Sequence, residues 1–208
     1  MPLAVWLSLV VAMLAISLTP GAGAINTMSN AMTVGWRRSI WGVLGQQLAL
    51  IVHLAIVAAG VGVIVANSPA LFEGIRYVGA AYLVYLGLRL IFAKPETADP
   101  EAPSDLPGES NWSILRRGFW VNLLNPKAVV FFLAFIPQFV SPERDLARQY
   151  LVLGLTVVAI DVIVMWGFFA VVARSFRRIT ATRRGQLTLN RVFGSLFVGV
   201  AALLLFVH

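Results

Sequence analysis

The sequence predicts an all-α protein that crosses a membrane six times, as a 3+3 inverted repeat with broken first and fourth helices. Three observations carry this expectation. Of the 208 residues, 59% are hydrophobic and only 12% charged, with a mean hydropathy of +0.85, whereas a soluble domain carries about 25% charged residues. The charges collect at the ends of apolar runs long enough to cross a bilayer. Prolines then interrupt the first run of each half at matching places, Leu18-Thr19-Pro20 and Leu124-Asn125-Pro126, 106 residues apart. Three spans per half force the halves into opposite orientations. The chain reads as a single transmembrane transporter domain over residues 1–208, with halves 1–93 and 112–208.

Residues 3–34 carry no charge, and Pro20-Gly21 breaks the run after its first span's worth of residues. Gly21-Ala22-Gly23-Ala24 has the small residues of a signal-cleavage site. A secretory signal needs a basic n-region, however, and nothing before Arg37 is basic. The segment is therefore expected to be an uncleaved first span, with Asn26 and Asn30 on one face beyond the break. Ser39 to Ala66 is the second span. Its Gly42, Gly45, Ala58 and Gly62 are close-packing positions, and its polar residues are Gln46, Gln47 and His53. Leu71 to Phe92 is the third.

Residues 94–111 differ in kind. Pro95, Pro100, Pro103 and Pro107 alternate with Glu96, Asp99, Glu101, Asp105 and Glu109. Too little apolar area is present to offset ordering entropy, which predicts a flexible linker. The fourth span runs from Ser113 to Phe139 and the fifth from Tyr150 to Ala173. The sixth runs from Val192 to Val207, with Ser195 and Gly199 spaced for close packing.

Loops after the first, third and fifth spans, with their flanks, hold twelve Lys or Arg, and those after the second and fourth hold three. The positive-inside rule then puts the linker in the cytoplasm and both termini outside it. The net charge of +7 is thus a topology signal and implies no nucleic-acid partner. The chain has no cysteine, and His53 and His208 form no ligand cluster, so neither a metal nor another cofactor is expected. Paired acid and base groups near an interface are missing too, which argues against an enzyme.

The candidate site residues gather at the two breaks. Lys127 lies in an apolar run, where a charge costs about 2.5–3.5 kcal/mol on insertion scales. Pro126 has no N–H, so the carbonyl of Asn122 loses its helical donor. Such a break is tolerated only where protein or a watery cavity lines it. Asn122 and Asn125 add polar groups one turn apart. Thr19, Pro20 and Gly21 form the matching break, with Asn26 beyond it. Asp161 stands alone in its span, and an intramembrane acid is functional by default. Gln46 offers a polar group from the second span, or simply a tie between helices. Lys127 has three readings: it binds a substrate carboxylate, neutralises Asp161, or snorkels from a proline kink.

These residues resemble a known family. Thr19-Pro20-Gly21, the Gly35 to Arg38 stretch, Gly79-Ala80-Ala81-Tyr82-Leu83, Asn122 through Lys127, Phe135-Ile136-Pro137-Gln138-Phe139 and Asp161 together resemble the LysE/RhtB amino-acid exporters. Many members read Pro-Gly-Pro-Asn where this chain has Pro20-Gly21-Ala22-Gly23. That variant, and the ending Asn190 to Phe197, resemble the homoserine/homoserine lactone efflux branch. The resemblance implies a bacterial inner-membrane exporter of small neutral amino acids (homoserine, homoserine lactone, threonine) by proton antiport. Its partners would be the substrate, protons and the lipid bilayer, with a homo-oligomer possible. A passive channel or a membrane assembly protein is the alternative.

Overall fold

The computed structural model describes residues 1–94, 109–141 and 143–206, and every regular element among them is a helix. Most of the expected linker therefore lies outside the described residues. The helices are α1 (Leu3–Leu18), α2 (Ala22–Thr33), α3 (Trp36–Asn67), α4 (Pro69–Ile91), α5 (Asn111–Leu123), α6 (Pro126–Val130), α7 (Leu146–Val162), α8 (Ala170–Thr180) and α9 (Arg183–Phe206). The helix begun by α6 continues as a π-helical turn, Phe131–Phe135, and a 3₁₀ turn, Ile136–Phe139. A second π-helical stretch, Ile163–Phe169, joins α7 to α8.

Four helical stretches are long and apolar enough to cross a membrane: Trp36–Gly60, Glu73–Ile91, Leu146–Thr180 and Arg183–Leu205. Two bent helix pairs are long and apolar enough when each is taken together. The α1–α2 pair bends by 58° and the pair Asn111–Leu123 and Pro126–Phe139 by 53°. Both bends fall at the prolines that the sequence singles out. Counting each bent pair as one span gives six, with a broken one at the start of each half.

Local chemistry explains the helix ends. Ser68 accepts from the Leu71 N–H with Pro69 in the first turn, Ser110 accepts from Ser113, and Asp145 accepts from Arg148. The main departure from expectation is the arginine-rich loop before the last span. Only residues 181 and 182 separate α8 from α9, because Thr182 caps α9 by accepting from the Gly185 N–H at 3.1 Å. Helix α9 thus starts at Arg183 rather than Val192, and its arginines reach solvent from helical backbone.

Close crossings hold the bundle together. Glycines 42 and 118 put α3 and α5 in backbone contact: a Cβ on Gly118 would strike the Gly42 carbonyl, and one on Gly45 the Leu115 carbonyl. Helices α4 and α9 run antiparallel, Arg76 donating to the Leu205 carbonyl at 2.7 Å near one end. Further along, Gly87 and Gly194 each face the other's carbonyl. Gly199, expected at a close contact, has open space around it; Gly194 fills that role. A column of phenylalanines, Phe131, Phe135 and Phe139, stacks at 5.0–5.1 Å between ring centres and forms the buried wall beside α1 and α9.

Basic residues separate by end. Arg38 bonds Asn111 and the Glu109 carbonyl, and Arg117 bonds Asn30 and Glu109. These bonds bring together the end of α2 and the starts of α3 and α5. The antiparallel α4–α9 pair and the packing of Met32 near Arg174 and Arg177 add the ends of α4 and α8 and the start of α9. Arg144 and Arg148 lie with Met1 and Trp6 at the opposite end.

Candidate functional site

Pro20 removes one hydrogen bond from α1, and the consequence can be traced. In an α-helix the N–H of residue 20 would bond the carbonyl of residue 16. Here Lys127 Nζ takes that place, donating to the Ile16 carbonyl at 2.8 Å and to the Thr19 carbonyl at 2.6 Å. A cation from α6 therefore caps the broken end of α1, where the helix dipole favours positive charge. Its Nζ also sits 5.8 Å from the centre of the Phe197 ring. At the second break the Asn122 carbonyl accepts from the Asn125 N–H at 3.2 Å, and Asn125 Oδ1 caps α6 through the Lys127 N–H at 3.1 Å. Neither break leaves those carbonyls unpaired, which is what a membrane interior requires.

Asp161 lies buried on α7, just before the π-helical stretch. Its Oδ1 accepts from Ser17 Oγ at 3.1 Å and its Oδ2 from Gln47 Nε2 at 2.7 Å. Asp161 and Lys127 make no direct ion pair; among the described residues the ion pairs are Arg76–Glu73 and Arg117–Glu109. The two instead line one central cavity, together with Gly21, Gln46, Asn122 and Asn125. Six of the ten candidate positions thus meet in one place. Its apolar wall includes Phe131, Phe132 and Met165, all from the π-helical stretches, a kind of distortion frequent at functional sites.

The cavity is small. Centres of water-sized molecules fit over about 40 Å³, roughly three waters at 10–15 Å³ each. Its roof is the start of α2, where Gly21 occupies the cap position and supplies no side-chain acceptor. The first N–H groups of α2 therefore stay free for an anion. Gln46 fixes this helix by donating to the Gly23 carbonyl at 3.1 Å and to Thr27 Oγ1 at 3.0 Å, and Asn122 donates to the Gln46 carbonyl at 3.2 Å.

The other four candidates lie outside the lining. Pro20 and Pro126 make the breaks. Thr19 turns its hydroxyl back onto the Ala15 carbonyl at 2.8 Å and offers only its own carbonyl, to Lys127. Asn26 is buried against Gly42 between α2 and α3. Sequence reasoning passed over Ser17 and treated Gln47 as a helix tie, yet these two hold Asp161. A signal for Ser17 existed: it is a polar residue one turn before Gly21, on a helix with almost none. Gln46 and Gln47 are adjacent in sequence but about 100° apart around the helix, so one faces α2 and the other α7. His53 is packed in the core, its ring stacked on Phe132 at 5.4 Å.

Known proteins resemble this chain along nearly its whole length. A homoserine/homoserine lactone efflux protein of Salmonella typhimurium is 35% identical over 96% of this chain and 95% of its own length. A leucine efflux protein of Klebsiella pneumoniae is 30% identical over 95% of this chain and 92% of its own. A Vibrio cholerae protein described as an uncharacterized membrane protein is 38% identical over 98% of both chains. No solved structure matches the chain. The family model described as LysE type translocator matches residues 14–207, which include both helix breaks, Asp161 and Lys127, and the chain belongs to that family.

Proposed function

We propose that this protein exports small neutral amino acids, with homoserine, homoserine lactone and threonine as the substrates, in exchange for protons. One observation carries the reading: a buried carboxylate held by two neutral donors faces the same cavity as a lysine and an uncapped helix start. A zwitterion such as homoserine or threonine needs one partner of each sign, and the lactone, whose carboxyl is esterified, needs only the partner for its ammonium. Asp161 accepts the ammonium, and the free N–H groups at the start of α2, with Lys127 beside them, take the carboxylate. A substrate with a further fixed charge would find no buried partner. The names of the two efflux relatives support amino-acid export.

Coupling follows from Asp161 if it holds either a proton or the substrate ammonium but not both. One charge moved across 100 mV is worth about 2.3 kcal/mol, enough for a gradient of roughly fifty-fold. The cavity in its present form is too tight for a whole amino acid, so the walls at α2 and α6 must part during transport. The separation of basic residues to one end supports a bacterial inner-membrane location with both termini periplasmic. The recurrence of broken, long and shorter spans supports two inverted halves, 1–93 and 112–208, forming one domain. A homo-oligomer is compatible with this reading and is not required by it.

The test is efflux from cells preloaded with homoserine or threonine. Cells making the protein should lose substrate faster than cells without it, and collapse of the proton gradient should stop the difference. Equal loss across a panel of amino acids would reject export. Loss that persists after collapse would reject the coupling alone. Counterflow in sealed vesicles distinguishes a carrier from a passive channel, which shows none.

A further inference from the structure

Away from the central cavity, at the basic end of the bundle, lies an open groove of about 730 Å³. Its floor is Met32 of α2, and its sides include Arg174, Arg177 and Arg178 of α8 with Thr180 and Ala181. The three arginines are spaced i, i+3, i+4 and so share one face of α8. All three are exposed. The described carboxylates, Glu73, Glu109, Glu143, Asp145 and Asp161, lie elsewhere, and none pairs with these arginines. Like charges held this close repel one another unless an anion joins them.

We propose that this groove binds the headgroup of an anionic phospholipid. Three features favour a lipid over a soluble anion. Guanidinium groups bind phosphate oxygens in pairs of parallel hydrogen bonds, and three of them line this one groove. Val171 and Ile179, 61% and 45% exposed, flank the arginine face on the same helix and offer apolar surface to an acyl chain. The groove also lies at the end of a helix long and apolar enough to cross a membrane, and basic pockets at span ends bind anionic headgroups. Setting topology needs only the charge of these residues; a shared face, a groove and an adjoining apolar strip go beyond that need. The site is independent of the export reading and of which way the chain faces.

The experiment uses the full-length protein in a neutral detergent. Phosphatidylglycerol, phosphatidylcholine or inorganic phosphate is added, with melting temperature and native mass spectrometry as readouts. Phosphatidylglycerol should raise the melting temperature and be retained on the protein, and phosphatidylcholine should do neither. The double variant R177Q/R178Q should bind phosphatidylglycerol roughly thirty-fold more weakly, from about five-fold per arginine. R144Q, at the opposite end, should bind it as the unmodified protein does. Both changes lie on exposed side chains, and the melting temperature without lipid confirms that each variant folds. Equal effects of the two lipids, or full retention by R177Q/R178Q, would overturn the site. The same shift from inorganic phosphate alone would overturn its assignment to a lipid.

Discussion

At the scale of single residues, Asp161 is buried and Lys127 half-buried, and the two charges have different tasks. Asp161 receives two hydrogen bonds, from Ser17 and Gln47, and keeps capacity for a third partner in the cavity. Replacing it with Asn puts an NH₂ group against one of those two donors. Hydrogen bonds to a charged group are worth about 1.5–3 kcal/mol, so D161N should lower stability modestly while the protein still reaches the membrane. Export should fall to the level of cells without the protein, since Asn neither pairs with an ammonium nor carries a proton. Efflux measured beside membrane abundance separates the two effects; near-normal export by D161N would remove Asp161 from the mechanism. Gln47→Leu leaves the carboxylate but removes its shorter bond, and should weaken export less than D161N does.

At the scale of elements, the broken helices were legible in the sequence and the way they are mended was not. Proline at positions 20 and 126 is a local signal, because its ring removes a backbone donor wherever it stands. The replacement donor is not local. Lys127 reaches the Ile16 carbonyl across 111 positions of chain, and no spacing rule connects them. The same limit explains Gln47, whose partner lies 114 positions away, and the arginine loop, where a single Thr182 cap decides that the chain turns at once. The mending predicts a coupling. K127M keeps the side-chain bulk but strips two carbonyls of their donor, at about 1–3 kcal/mol for each buried group left unsatisfied. P20A restores an N–H that can bond the Ile16 carbonyl. K127M should therefore destabilise the protein less in a P20A background than alone, by about 1 kcal/mol or more. Additive losses in melting experiments would show that Lys127 does not cap α1. The crossings give a simpler expectation: G118A drives a methyl into the Gly42 carbonyl and should cost about 1–3 kcal/mol, while G199A, with open space around it, should be silent.

At the scale of the whole molecule, the question is which end faces the cytoplasm, because that decides from which end an exported substrate enters the cavity. Composition and span count were readable from hydropathy alone, since a bilayer sets both the length and the polarity of what crosses it. Orientation rests on charge. The fold strengthens that inference by placing the basic flanks at a common end: Arg38 and Arg117 meet at Glu109, and the α4–α9 pairing carries Arg89 to the arginines of α9. Twelve Lys or Arg lie near this end and three near the other. Short flanking segments of this kind follow the positive-inside rule most reliably. The chain has no cysteine, so single cysteines report their side without a background signal. E143C, exposed at the sparsely charged end, should react in intact cells with a membrane-impermeant thiol reagent. K94C, exposed at the basic end, should react only after the membrane is opened. Exposure of both positions keeps the comparison fair, and reaction of both in opened membranes shows that each is accessible. The reverse pattern in intact cells would invert the molecule.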